Sequence, residues 1–352
     1  MSESNTEINY KEAYEREHEK CADLADKIVV LEAEKEDLQF KLDRIKKNKF
    51  WKATGPARSV IHFAQRQKER LSHCGGPKDI LRKIRNKSHQ KSLMESFGTG
   101  SFPDAEQRKK EEETVFPYMP KISILVPLWN NKREFQIQML DCVMNQTYQN
   151  WELCLADGSD AEHAYIEELC KDYAAKSDGR IVYKHLDHNG GISYNTNECY
   201  KLATGDYIGL FDQDDILHPS VLYAYVKEIN EQGADYLYCD ETTFQEDNIN
   251  KMLTMHFKPD YAPDNLRANN YICHFLVVRR SVVQKAGGFR REFDGAQDYD
   301  FIFRCVEQAR EVIHVPEILY HWRTHKSSTA DNPASKMYSF EAGKRAIEGN
   351  LE

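Results

Sequence analysis

Three carboxylates at the end of an apolar run carry the strongest chemical signal in this chain. Tyr207-Ile208-Gly209-Leu210-Phe211 leads directly into Asp212-Gln213-Asp214-Asp215. The run reads as a buried strand with an acidic cluster at its carboxyl end, where open α/β sheets bind their ligands. Asp212 and Asp214 stand two residues apart, and extended or turn geometry lets both point to one side. Crowded carboxylates repel, so a hard cation such as Mg²⁺ or Mn²⁺ is the natural reason to keep them together. Mg²⁺ is commonly held by one or two carboxylates plus substrate phosphates. The expected chemistry is a divalent-metal site that handles a nucleotide diphosphate.

Three more polar clusters fall where a sheet would open: Pro127-Leu128-Trp129-Asn130, Asp157-Gly158-Ser159-Asp160 and Asn189-Gly190-Gly191-Ile192-Ser193. Each has a plain structural reading. Asp157-Gly158 alone is a turn, and Asp214-Asp215 alone caps a helix. Asn189-Gly190-Gly191 is a loop with a helix N-cap at Ser193, and it is not a dinucleotide fingerprint. Their shared position gives them meaning. The pattern predicts strands at 122–127, 151–156, 181–185 and 207–211, with helices at 135–145, 161–175 and 193–202 between them. Such alternation implies parallel βαβ units, whose strands deliver their carboxyl ends to one edge. Beyond Asp215 the alternation loosens. Helices are expected at 219–229, 281–286, 300–309 and 335–348, and strands at 235–240, 275–279 and 318–323.

These motifs resemble family 2 glycosyltransferases, which have the GT-A fold. Ile124 to Asn130 is similar to their opening strand, Asp157 to Asp160 to their nucleotide-base loop, and Gly191-Ile192-Ser193 through Asn197 and on to Tyr207 to the segment entering the metal motif Asp212 to Asp215. Gly295-Ala296-Gln297-Asp298-Tyr299-Asp300 looks like the motif carrying the catalytic base. Tyr320 to Ser328 looks like the closing phosphate and metal segment. The resemblance covers roughly 118–349, with six motifs in family order. Phe257-Lys258-Pro259-Asp260-Tyr261 and Asn270-Tyr271 look like the branch containing bacterial rhamnosyltransferases and other cell-surface polysaccharide enzymes. The Q-x-x-R-W motif of processive members is absent, which argues against a polymer-extruding synthase. Gln297 replaces an acidic residue often found before the catalytic Asp.

The resemblance implies an open mixed GT-A sheet flanked by helices and an inverting transfer of one sugar from a UDP- or dTDP-sugar. dTDP-rhamnose is one candidate donor, and the acceptor would be a polysaccharide or a lipid-linked glycan. Such a transfer needs a base for the acceptor hydroxyl proton and a cation for the departing diphosphate. Asp298 is expected to be the base, with Asp300 or Glu241 next in line. Asp212 and Asp214 are expected to hold the metal, with His325 completing its shell; His321 could equally be that ligand. Pro127, Leu128, Asn130, Asp157, Gly191, Ser193, Asn197, Gln213 and Arg323 are expected at the nucleotide or donor. Asp215, Gln297 and Trp322 are candidates for sugar or acceptor contact, although Trp322 also reads as core and Asp298 or Asp300 as helix caps. Two rival functions remain. A sugar nucleotidyltransferase should show a glycine-rich loop after the first strand, and Pro127-Leu128-Trp129-Asn130 has no glycine. An inactive coiled-coil scaffold is opposed by the intact Asp212, Asp214 and Asp298.

The 352 residues carry a formal charge of −9, unevenly spread. Residues 41–91 hold 16 Lys and Arg against 3 Asp and Glu, so the rest carries −22. A basic block in an acidic chain suggests an anionic partner for that block. Trp51, Ile61 and Phe63 within it suit an anionic membrane surface; no nucleic-acid module is present. Residues 1–47 carry a short heptad pattern through Leu24, Ile28, Leu31, Leu38, Leu42 and Ile45, which suits a coiled-coil homodimer. The expected organisation is a coiled-coil-like helix at 1–47, a basic helical segment at 48–91, a linker at 92–117 and the GT-A domain at 118–352. Nine scattered cysteines without C-x-x-C form neither a disulfide framework nor a zinc site; Cys154, Cys239 and Cys273 read as small buried hydrophobes. No signal peptide or membrane span is legible. The expected location is the cytoplasm, peripheral on the inner face of the membrane.

Overall fold

The computed structural model describes residues 97–324 and 337–351. The coiled-coil and basic segments and His325 lie outside the described residues. The elements, in chain order, are α1 (Ala105–Glu113), β1 (Ile122–Leu128), α2 (Arg133–Met144), β2 (Trp151–Asp157), α3 (Tyr165–Lys176), β3 (Ile181–His185), α4 (Ile192–Leu202), β4 (Tyr207–Leu210), β5 (Ile216–Leu217), α5 (Val221–Gln232), β6 (Tyr236–Gln245), β7 (Asn248–His256), α6 (Pro263–Ala268), β8 (Val277–Arg279), α7 (Arg280–Ala286), α8 (Gln297–Gln308), β9 (Val312–Thr324) and α9 (Met337–Leu351).

The expected parallel unit is present. β3, β2, β1 and β4 lie side by side and parallel. β1 and β2 are buried almost throughout, as strands covered by helices on both faces must be. Alternate residues of β1 feed two cores. Ile122, Ile124, Val126 and Leu128 pack with α2 and α5. Leu125 packs with Ile208, Val282 and Ile302 on the other face. Past β4 the sheet turns mixed. β8 pairs antiparallel with β4 and with β6, β6 runs parallel to β9, and β5 closes antiparallel on β9. β4 passes so close to Phe275 that a Cβ at Gly209 would meet the ring at 2.9 Å. This is an open mixed sheet flanked by helices.

Several boundaries shift. β4 stops at Leu210, one residue before the expected end. α8 starts at Gln297 rather than 300, which puts Asp298 and Asp300 in its first turn, where carboxylates oppose the helix dipole. β9 begins at Val312, six residues early, because its first half pairs with β6. Among the described residues, four elements are additional: α1, β5, β7 and α6. β7 forms a hairpin with β6. α1 occupies part of the expected linker, capped by Asp104, which accepts the Gln107 N–H at 2.8 Å. α1 docks on the sheet domain: buried Glu111 accepts the Thr147 hydroxyl at 2.7 Å, and Arg108 donates to the Asn145 carbonyl at 3.1 Å. Cys154 and Cys239 are buried as expected. Cys273 is only half-buried, lines a cleft and holds φ at 41°.

Candidate active site

The carboxyl ends of β1 and β4 open onto a cleft of about 680 Å³. Asp212, Gln213 and Asp214 line it from the loop after β4, Asp298 from α8, and His274 and Trp322 from its other side. The loop after β4 is held from beneath. Buried Asp215 accepts the Tyr320 hydroxyl at 2.5 Å and the Arg323 backbone N–H at 2.7 Å. Burial, followed by the charges of Asp214 and Asp212, pushes its carboxyl well above the usual range. The Arg323 guanidinium donates to the Asp214 and Glu246 carbonyls, and at 2.7 Å to Gln138 Oε1. It lies between the Phe135 and Phe244 rings, 4.1 and 4.6 Å from their centroids. Asp215 and Arg323 therefore stand under the loop and not in the cleft. The expected sugar contact at Asp215 and phosphate contact at Arg323 are corrected to scaffolding, because both side chains are fully buried and engaged by protein.

Asp212 remains available, its side chain 52% exposed. Its Oδ2 lies 3.5 Å from His274 Nε2. His274 Nδ1 is 3.3 Å from Glu241 Oε2. Glu241 is buried and also accepts from Lys258 Nζ at 2.8 Å, with His256 Nδ1 at 3.1 Å. Burial opposes its charge, yet the imidazoles and Lys258 hold the carboxyl far below its usual range. Glu241 is thus a brace set behind the cleft and not a reserve base. His274 went unread in the sequence, where it is a single polar residue among apolar neighbours.

Asp298 is half-buried and accepts the Asn270 Nδ2–H at 3.0 Å. Burial raises its pKa, the His274 charge pulls against this, and Asp212 adds to the rise. Asp300 has a different fate. It is buried between Arg290 and Arg304, the latter at 2.7 Å, so it ties α8 down and cannot serve as the base. His321 is also removed from consideration as a metal ligand. It is fully buried, its Nδ1 is 2.9 Å from Thr242 Oγ1, and burial lowers its pKa to about 3.

The side of the cleft formed by β1 and β2 is a set of interlocked loops. Gln213 exchanges two hydrogen bonds with the Trp129 backbone, at 2.8 and 3.0 Å. Asn130, at φ 47°, binds Asp160 Oδ2 at 2.8 Å. Pro127, Asn130 and Gln213 line the cleft, as do Gln297 and Trp322; Trp322 is half-buried and packs on the core as well as lining the cleft. Leu128 is fully buried and offers only its carbonyl, which accepts the Gly158 N–H at 3.0 Å. Asp157 spends its oxygens on the Ser159 N–H at 2.9 Å and the Tyr183 hydroxyl at 2.8 Å. Asn197 binds the Phe289 backbone in both directions, at 2.8 and 2.9 Å. Ser193 bonds to Asp294, and Gly191, at φ 94°, sits so near that carboxylate that a Cβ would meet it at 2.9 Å. Leu128, Asp157, Ser193 and Asn197 are corrected from direct donor contact to loop support: their side chains do not line the cleft. Asp294, missed in the sequence, ties the start of α4 to the loop before Asp298.

A parallel βαβ sheet extended by antiparallel strands, with acidic residues at its open edge, is the GT-A architecture of glycosyltransferases. Solved structures bear this out at the level of fold. The Staphylococcus aureus TarS fragment 1–349 in complex with UDP-GlcNAc superposes with a TM-score of 0.53 over 66% of each chain, at 17% identity. Residues 123–287 match the model of "Glycosyl transferase family 2". The chain is 33% identical over 234 residues to the O-antigen biosynthesis protein RfbC of Myxococcus xanthus, and 38% identical over 235 residues to the Sinorhizobium fredii protein y4gI. It spans only 18% and 25% of those two relatives. It is 30% identical to 73% of WcaA of Escherichia coli, a protein named for colanic acid biosynthesis glycosyl transfer, over 56% of this chain. The chain belongs to glycosyl transferase family 2.

Proposed function

We propose that this chain moves one sugar from a UDP- or dTDP-sugar to a hydroxyl of a glycan or lipid-linked acceptor, with inversion, in cell-surface polysaccharide synthesis. The observation that carries the reading is the joint lining of one cleft by Asp298 and by Asp212 and Asp214. The names of RfbC and WcaA support the setting. The donor set fits a hard divalent cation, since carboxylate oxygens suit Mg²⁺ and Mn²⁺ and the Asp212 side chain is open to the cleft. Asp212 and Asp214 would hold that cation, which when bound neutralises charge on the departing diphosphate.

The remaining steps belong to the protein. Asp298 accepts the proton of the acceptor hydroxyl as its oxygen attacks the anomeric carbon. The bond from that carbon to the phosphate oxygen breaks, and the diphosphate leaves with the electron pair. A single displacement of this kind inverts the anomeric centre. The raised pKa of Asp298 makes it a better proton acceptor than a solvated aspartate. Asn270 fixes the carboxylate through its 3.0 Å contact.

The test is calorimetry of UDP and dTDP with and without Mn²⁺. Metal-dependent binding that is lost in Asp214→Ala and weakened in Asp212→Ala supports the reading. Unchanged affinity in Asp214→Ala removes the metal assignment. No helix among the described residues is long and apolar enough to cross a membrane. The basic segment at 48–91 is proposed to bind anionic lipid from the cytoplasmic side, and the heptads at 1–47 to pair two copies. Salt should weaken the first and spare the second. Vesicle sedimentation over a salt series and sedimentation velocity read the two separately.

A further inference from the structure

Accepting the proposed metal use, we infer that the His274 imidazole is itself a ligand of the cation, with Nε2 as donor atom and Glu241 bracing the opposite nitrogen. Ligand atoms of Asp212, Asp215 and His274 all lie within 4.8 Å of one another, a span one cation can bridge. Asp215 lies at the back of this group, its oxygens engaged by Tyr320 and the Arg323 N–H. Asp212 and His274 therefore face the cleft as the available pair. Their 3.5 Å separation is longer than the roughly 2.7–2.9 Å of a closed charge-assisted hydrogen bond.

The ring is held on every side. Its Nδ1 is fixed by Glu241 at 3.3 Å, which leaves Nε2 for the cleft. Its face stacks on Tyr320 at 4.7 Å and 7°, and Tyr320 is itself anchored by its bond to Asp215. The His274 carbonyl accepts from Lys258 Nζ, which also donates to the Ile272 carbonyl at 2.7 Å and to Glu241 at 2.8 Å. Lys258 and Glu241 are both buried. One buried ion pair thus fixes the ring and the backbone of the same residue. The preceding Cys273 holds φ at 41°, an uncommon conformation for a residue with a side chain, and such strain gathers at functional sites. A carboxylate behind the distal nitrogen is the usual support of a metal-bound histidine, fixing its tautomer and orientation. The arrangement would add a nitrogen to the carboxylate pair of the loop after β4.

Pulsed electron paramagnetic resonance on the full chain with Mn²⁺ and UDP, repeated with dTDP, tests this without any turnover. The expected result is ¹⁴N coupling from a directly bound imidazole in wild type, absent in His274→Ala and His274→Gln. Glu241→Gln should keep the coupling while weakening Mn²⁺ about 10–100-fold. Two histidine variants guard against misfolding, and a thermal melt of each establishes that it is folded. Bound Mn²⁺ without nitrogen coupling, or coupling that persists in either folded His274 variant, overturns the assignment and leaves the carboxylate site standing. Absence of Mn²⁺ binding under both nucleotides overturns the metal reading and this inference with it.

Discussion

Arg323→Met should behave as a stability mutation before it behaves as a binding mutation. The guanidinium supports the Asp214 and Glu246 carbonyls and Gln138 Oε1 in a fully buried position. Methionine keeps apolar bulk between Phe135 and Phe244, so the loss falls mainly on those three acceptors. Hydrogen bonds to charged groups contribute about 1.5–3 kcal/mol each. Burial lowers the Arg323 pKa, a sign that desolvating this cation is costly, and that cost offsets part of the sum. A net loss of about 3–5 kcal/mol is expected from the three lost bonds after that offset. For a domain of this size each kcal/mol lowers Tm by about 2–4 °C, so a fall of roughly 6–20 °C should appear in a thermal melt. At temperatures where the variant is folded, Mn²⁺ affinity should weaken together with donor affinity, because the Asp214 backbone has lost its anchor. A variant that melts within about 2 °C of wild type and loses only donor affinity would contradict this reasoning and return Arg323 to the phosphates.

Glu152 is a buried carboxylate that accepts from Ser123 at 2.6 Å, Gly205 N–H at 3.0 Å and Thr204 Oγ1 at 2.8 Å, with Lys121 beside it. Burial alone would raise its pKa, but Lys121 and these donors bring it down to about 2. A depressed folded pKa gives stability that is full above the unfolded value near 4.5 and is lost as pH falls from there towards 2. A shift of that size corresponds to about 3 kcal/mol, so acid titration of Tm should be less steep in Glu152→Gln, with a lower Tm at pH 7. Asp300→Asn should cost about 3–5 kcal/mol by leaving Arg290 and Arg304 facing a neutral amide; a melt like that of wild type would restore Asp300 as a candidate base.

Much of this molecule was legible because its strands are short apolar runs ending in polar turns. The strand 181–185 coincides with β3, and Asp212 and Asp214 of the acidic run after β4 line a cleft. What stayed hidden shares one cause: its partners are distant in sequence. α1 has no apolar face, so Glu111 and Arg108 read as a charge run until Thr147 and Asn145 are brought to them. β7 is exposed along most of its length and lacks alternation; only pairing with β6 defines it. Arg323 and Asp215 carry the residue types of a phosphate and metal site, and local spacing cannot tell a group facing the cleft from one holding the loop beneath. His274 is legible only through Glu241, 33 positions away. Asp298 could be placed because its motif is local and opens a helix.

The central claim, that Asp298 takes the proton in a transfer from a nucleotide sugar, is tested most directly by Asp298→Asn. The amide keeps the shape and the Asn270 contact but cannot accept a proton. Donor affinity should stay within about threefold of wild type by calorimetry with Mn²⁺. Release of nucleoside diphosphate from a panel of UDP- and dTDP-sugars should fall about 10²–10⁴-fold, the usual cost of losing a general base. In wild type the rate should fall on the acid side at a higher pH than an ordinary aspartate would give, because burial raises the Asp298 pKa and only the ionised form can act. Turnover in Asp298→Asn within threefold of wild type, with the donor bound equally well, would contradict the account.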